Sequence, residues 1–293
     1  MSKIKSNKGR YVSPDQLNKK KSNSDILFIE KPQKSLNDII LSESTRKQID
    51  SLLAKIKNHD LLYDHFGLKE IDPSGGRTAI NLYGPPGTGK SATAEAIAYE
   101  LGKDILRANY AEIESKFVGE TPKNIKAIFA KATETDAVLI FDEADSLLSK
   151  RLAHVNQSTD QAVNVTKSVL LLELDKFSGI VIFTTNFGEN YDPAFIRRIL
   201  GHIELSLPEK ESRSAIFKQF LPDKLPVSLN LAEKDQIISD TAGFSGGDLL
   251  NVVISASSTA VARDGTACRV TYNDFSEAIQ LIKKAKQNIG ISK

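Results

Sequence analysis

A chain of 293 residues that is 40% hydrophobic and 26% charged can bury one large core or two modest ones, which excludes a low-complexity or fibrous protein. The single cysteine, Cys268, excludes a disulfide framework, and with His59, His65, His154 and His202 scattered without ligand spacing the sequence predicts no zinc site. The net charge of +2 is unevenly placed: residues 1–35 hold nine Lys/Arg against three Asp/Glu, a net of +6, which leaves −4 for the rest.

Those first 35 residues are rich in Lys, Ser and Asn and poor in large apolar side chains, so they read as a flexible basic leader, with contact to a nucleic acid or an acidic partner as the alternative. They lack the apolar core of a secretory signal, and no run elsewhere approaches the roughly 18 apolar residues of a membrane span. The expectation is a cytoplasmic protein without stable membrane insertion. From residue 36, "SLNDIILSESTRKQIDSLLAKIKNHDLLYDHFG" spaces its apolar residues as a helix does, behind a Ser-rich start able to cap it. Short apolar runs then alternate with helix-length segments: "AINLY" (79–83), "DILRAN" (104–109), "AVLIF" (137–141), "GIVIFTTN" (179–186) and "HIELSL" (202–207). Five such runs predict an α/β domain whose five-stranded parallel sheet carries helices on both faces. After Pro208 the segments read as helices, apart from "PDKLPVSLNL", where two prolines favour an extended connection. The expected organisation is therefore a leader (1–35), an α/β domain (36–207) and a smaller all-helical domain (208–293).

The first chemical motif is "GPPGTGKS" (84–91), placed between a strand and a helix. Its glycines let backbone N–H groups turn inward around phosphates, and the helix that follows presents its positive end to the same charge. The stretch Pro86, Gly87, Thr88, Gly89, Lys90, Ser91 and Ala92 is thus predicted to bind a nucleotide, with Lys90 on the β and γ phosphates and the Ser91 hydroxyl on Mg²⁺. The second motif, "AVLIFDEADSLL", is an apolar strand ending in two acids. At the C-terminal end of a parallel strand Asp142 can hold Mg²⁺, and Glu143, pointing the other way along the strand, can orient and deprotonate a water.

"GPPGTGKS", "LIFDEADSLL", "FTTN" and "YDPAFIRRI" occur in the order and spacing of the AAA family of ATPases, within the wider AAA+ group, and the resemblance covers about residues 36–285. It implies a P-loop ATPase domain followed by a helical lid, using ATP and Mg²⁺. By position, Asn186 resembles the sensor-1 residue, and Arg197 and Arg198 resemble arginine fingers that complete a neighbour's site. Fingers acting in trans imply a homo-oligomer, in this family usually a hexameric ring. Gly246 and Gly247 match the sensor-2 helix start, and Asp38 to Ile40 match the stretch whose backbone meets adenine, although Ile40 stands where the family commonly has Gly. Lys116, Phe117 and Val118 fall in the first pore loop, Arg151 and His154 in the second, and Asp175-Lys176-Phe177 where an intersubunit Asp-Gly-Phe is usual. The "RRI" form looks more like the severing branch of the family than the protease branch, and no H-E-x-x-H occurs. The reading is a motor-only remodeller that pulls a polypeptide client through aromatic pore loops. Its alternatives are a nucleic-acid translocase or loader, disfavoured by the −4 body and Phe117, and an ATP-switched scaffold.

Overall fold

The computed structural model describes residues 28–72, 79–109, 121–150, 158–186, 188 and 191–288. Lys116, Phe117, Val118, Arg151 and His154 lie outside them. The five apolar runs form β2 (Ala79–Tyr83), β3 (Ile105–Asn109), β4 (Val138–Asp142), β5 (Val181–Thr185) and β6 (Ile199–Glu204), all mutually parallel. With β1 (Ile29–Glu30) they make one sheet in the order β1-β3-β4-β5-β2-β6.

The runs are continuous rather than alternating because both faces are covered. Val138 and Ile140 of β4 pack with Ile49, Leu52 and Leu53 of α1 (Glu43–Lys57) and Ala94, Ile97 and Ala98 of α2 (Lys90–Glu100). Leu139 and Phe141 face the opposite way, against Ile125, Ile128 and Phe129 of α3 (Thr121–Thr135) and, beyond the short α4 (Asp145–Leu148), Leu170 and Leu171 of α5 (Ser158–Lys176). As the sequence predicts, a serine caps the first helix: Ser42 accepts from the Thr45 N–H.

Three features depart from the sequence reading. The chain before residue 36 is not all leader, because Ile29–Glu30 pairs antiparallel with Leu106 and Ile105 of β3. Two paired residues show no periodicity, and Phe28 and Ile29 are 67% and 42% exposed, so the burial signal that reveals other strands is missing. The last parallel strand spans 199–204 rather than 202–207. After α6 (Pro193–Ile196), Ile199 lies opposite Ala79 and Gly201 opposite Ile80, an irregularity that advances the strand, and Leu205 leaves the ladder after donating to the Tyr83 carbonyl at 2.8 Å. The C-terminal unit is not wholly helical either. Its helices α7 (Lys210–Gln219), α8 (Leu231–Asp240), α9 (Gly246–Asp264) and α10 (Tyr272–Asn288) share one core with a parallel pair, β7 (Val227–Ser228) and β8 (Val270–Thr271). β7 lies in the connection that the prolines mark as extended.

Gly84 fixes the exit from β2. It sits at φ 141°, and a Cβ there would stand 2.2 Å from the Leu205 carbonyl oxygen. Backbone cannot yield as a side chain can, so Gly84→Ala is expected to lower unfolding free energy by roughly 1–3 kcal/mol. Urea titration followed by circular dichroism measures this, and an unchanged midpoint would refute it.

Candidate active site

Residues from the C-terminal ends of β2, β4 and β5 meet in one cleft of about 610 Å³, closed on one side by the C-terminal unit. After β2 the chain turns through Gly87 (φ 77°) and Gly89 (φ 93°), both left-handed, to start α2 at Lys90. Pro86, Gly87, Thr88, Gly89, Lys90, Ser91 and Ala92 all line the cleft. Lys90 is nearly buried, and its Nζ donates to the carbonyls of Gly84 (2.8 Å) and Pro85 (2.9 Å). Burial lowers its pKa, partly offset by the Asp145 carboxylate. A desolvated ammonium beside a cradle of glycines gains by meeting an anion, so these residues fit a nucleotide's phosphates.

Asp142 ends β4 with both carboxylate oxygens engaged. Oδ1 accepts from the Ser91 hydroxyl at 3.0 Å and the Thr184 hydroxyl at 2.9 Å, while Oδ2 accepts from Arg107 at 2.5 Å. Ser91 and Asp142, expected to share a metal, are thus in direct contact. A hydroxyl beside a carboxylate is the hard-oxygen donor set that suits Mg²⁺.

Glu143 lines the cleft, but not through strand alternation as expected: β4 stops at Asp142 and Glu143 adopts φ 54°. This left-handed turn is sparsely populated for residues with a Cβ, and it is held by bonds from Glu143 N to the Thr184 hydroxyl (3.2 Å) and from Ala144 N to the Thr184 carbonyl (2.9 Å). Asn186 lines the same cleft and is anchored by its own N–H on Asp145 (2.8 Å). Thr184, two residues before Asn186, therefore binds both Asp142 and the turn at Glu143.

At the other end, Ile39, Ile40, Leu41, Leu207, Ile216 and Phe220 give the cleft an apolar wall. The Asp38 carboxylate is committed elsewhere: it closes a capping box on Ser35, whose hydroxyl and N–H hold its pKa below the usual value. Asp38 nevertheless lines the cleft, and its carbonyl accepts from Gln219 of α7 at 2.9 Å. Gly246 and Gly247 open α9 within the cleft, and Gly247 N donates to the Gly87 carbonyl at 3.0 Å. A Cβ on Gly87 would lie 2.6 Å from the Ser245 hydroxyl and 3.3 Å from the Gly247 backbone, so the helix start seats closely on the loop.

Arg197 and Arg198 do not line this cleft. Arg198 forms a bidentate pair with Asp175, Nε and Nη2 each at 2.7 Å, and its Nη1 donates to the Ala194 carbonyl at 2.8 Å. Arg197, at the C-terminal end of α6, is exposed. Phe177, two residues past Asp175, packs edge-on to Phe129 of α3 with centroids 5.2 Å apart. Among the described residues no cluster of His, Cys, Asp and Glu forms a metal site, and no helix is long and apolar enough to cross a membrane.

Residues 80–207 match the family described as "ATPase family associated with various cellular activities (AAA)". The chain is 34% identical over 264 residues to the proteasome-activating nucleotidase of Saccharolobus solfataricus, covering 87% of this chain and 64% of that protein. It is 31% identical to that of Methanopyrus kandleri, covering 88% and 58%. The chain thus spans less than two thirds of the length of these relatives. In structure it resembles the FIGL-1 AAA domain in complex with ADP at a TM-score of 0.70 and 24% identity, over 88% of this chain and 87% of that one. That likeness bears on the fold.

Proposed function

We propose that this chain, whose residues 80–207 match the AAA ATPase family, hydrolyses ATP to ADP and phosphate in the cleft and, as a homo-oligomeric ring, uses the energy to pull on polypeptide clients. The observation that carries this is the convergence of Lys90, Ser91, Glu143 and Asn186 on one cleft from three strand ends, with Asp142 bonded to Ser91. Lys90 would hold the β and γ phosphates, and Ser91 and Asp142 would hold Mg²⁺, which supplies neutralisation of charge on the transferred phosphoryl group. Glu143, at the fixed turn, would accept a proton from the attacking water that Asn186 helps to place. Ile40, Ile216 and Phe220 would take the base. The chain divides functionally into an ATPase unit (36–207) and a lid (208–293), and the location that suits such a motor is the cytoplasm.

The polypeptide client is supported by the relatives' name as proteasome-activating nucleotidases and by the aromatic Phe117 at the first pore-loop position. The test is ATP-driven loss of fluorescence from a folded fluorescent protein bearing an unstructured tail. Parent protein is expected to extinguish the signal and Phe117→Ala to slow it by about tenfold or more, on the order of one lost anchoring contact. Equal rates in both would overturn the threading reading, and activation of the ATPase by single-stranded nucleic acid instead would favour the translocase.

A further inference from the structure

A charged residue sits in the middle of a strand: Arg107 of β3, in "ILRAN". Parallel pairing sets Arg107 opposite Ile140, so it shares a face with Asp142, two residues further along β4. Antiparallel pairing sets Glu30 of β1 opposite Ile105, on that same face. The side chains join in a row across the sheet. Arg107 Nε reaches Glu30 at 3.4 Å and Nη1 reaches Asp142 Oδ2 at 2.5 Å, and Thr184 of β5 donates to the other oxygen of Asp142. Arg107 is 28% exposed in its side chain and Asp142 18%. Burial alone would weaken the arginine's hold on its proton, but the bond and charge of Asp142, together with Glu30, more than offset it.

We propose that Arg107 is a positioning residue for the metal carboxylate: by fixing Oδ2 of Asp142 it turns Oδ1 toward Ser91, and Glu30 of the edge strand holds Arg107 in that pose. This rests on Ser91 and Asp142 being the residues that hold Mg²⁺. A carboxylate on a strand end has two soft torsions, and without a partner on Oδ2 it samples rotamers in which neither oxygen faces Ser91. Outer hydrogen-bond partners of metal ligands commonly contribute 10- to 100-fold in metal affinity. Arginine suits the position because its fork can serve two carboxylates at once, Nε toward one and Nη1 toward the other.

The test reads binding without turnover: a fluorescent ADP analogue is bound to the full chain in EDTA and then titrated with MgCl₂. Arg107→Gln is expected to leave affinity in EDTA unchanged and to raise the Mg²⁺ concentration at half effect by about tenfold or more, whereas Arg107→Lys, which keeps a charged donor, stays within about threefold of the parent. A Mg²⁺ curve for Arg107→Gln that superposes on the parent's overturns the inference, as does an equal loss of affinity in EDTA. If Arg107→Gln fails to fold by circular dichroism, Glu30→Gln decides: a shift of about two- to threefold in the same direction supports the row, and no shift refutes it. A parent protein whose nucleotide affinity ignores Mg²⁺ would instead overturn the assignment of Ser91 and Asp142, and this inference with it.

Discussion

Glu143→Gln is expected to lower ATP turnover by about 10²- to 10⁴-fold, the usual share of a general base, while nucleotide affinity stays within about twofold. Glutamine has the shape of glutamate but no basic oxygen, so the proton of the attacking water loses its acceptor. The backbone reason for confining the effect to chemistry is the turn at φ 54°, which rests on the hydroxyl and carbonyl of Thr184 and not on the Glu143 side chain. Phosphate release under saturating ATP and equilibrium binding of a fluorescent nucleotide separate the two quantities. Parent-level turnover in the variant would remove Glu143 from the reaction, and Asp145, which anchors Asn186 and adds its charge near Lys90, would then be the next acid to examine.

The second large effect concerns the paired arginines, which the structure makes unequal. Arg198 is bound to both oxygens of Asp175 and to the Ala194 carbonyl, and Arg197, at the end of α6, is the more exposed of the two. Arg197→Ala is expected to reduce turnover by about 10³-fold or more, the scale of an arginine acting on the transferred phosphoryl group. Arg198→Ala should mainly cost stability, on the order of 1 kcal/mol for a partly exposed bidentate pair. A finger that acts across an interface can be supplied by another subunit. Arg197→Ala and Glu143→Gln chains, each inactive alone, should recover measurable turnover when mixed, because one interface in the mixture then joins an intact Glu143 to an intact Arg197. Full activity of Arg197→Ala at every protein concentration would argue against a shared site.

Much of this was readable from residue order. The five parallel strands follow from continuous apolar runs, which only a sheet covered on both faces requires, and the left-handed turns of the loop after β2 follow from its glycines. Arg107 was missed although a signal existed: a lone charge within a strand demands a buried counter-charge, and only pairing register identifies Asp142 as that partner. Thr184 was similarly available, since it stands two residues before Asn186 in "FTTN". β1 left no trace, because a two-residue exposed edge needs no pattern. The direction of Glu143 was expected for the wrong reason: the strand ends one residue earlier, and a strained turn, which no periodicity encodes, aims the side chain. The tie between Arg198 and Asp175 spans 23 positions and depends on how α5 ends beside α6, a fact of packing.

The bond from Gly247 to Gly87 also has a mechanical side. α9 starts on the phosphate loop and runs for 19 residues, about 28 Å at 1.5 Å per residue. Its buried face, Leu249, Val252, Val253, Ala256 and Ala260, is the spine of the C-terminal core, so that unit turns with it. A tilt of about 10° at the glycine pivot would carry the far end of such a rod about 5 Å. If the loop takes a phosphate as proposed, it would also act as a fulcrum, with the long arm beyond it setting the gain between a small change at Gly87 and a larger displacement at the outer edge of the C-terminal unit.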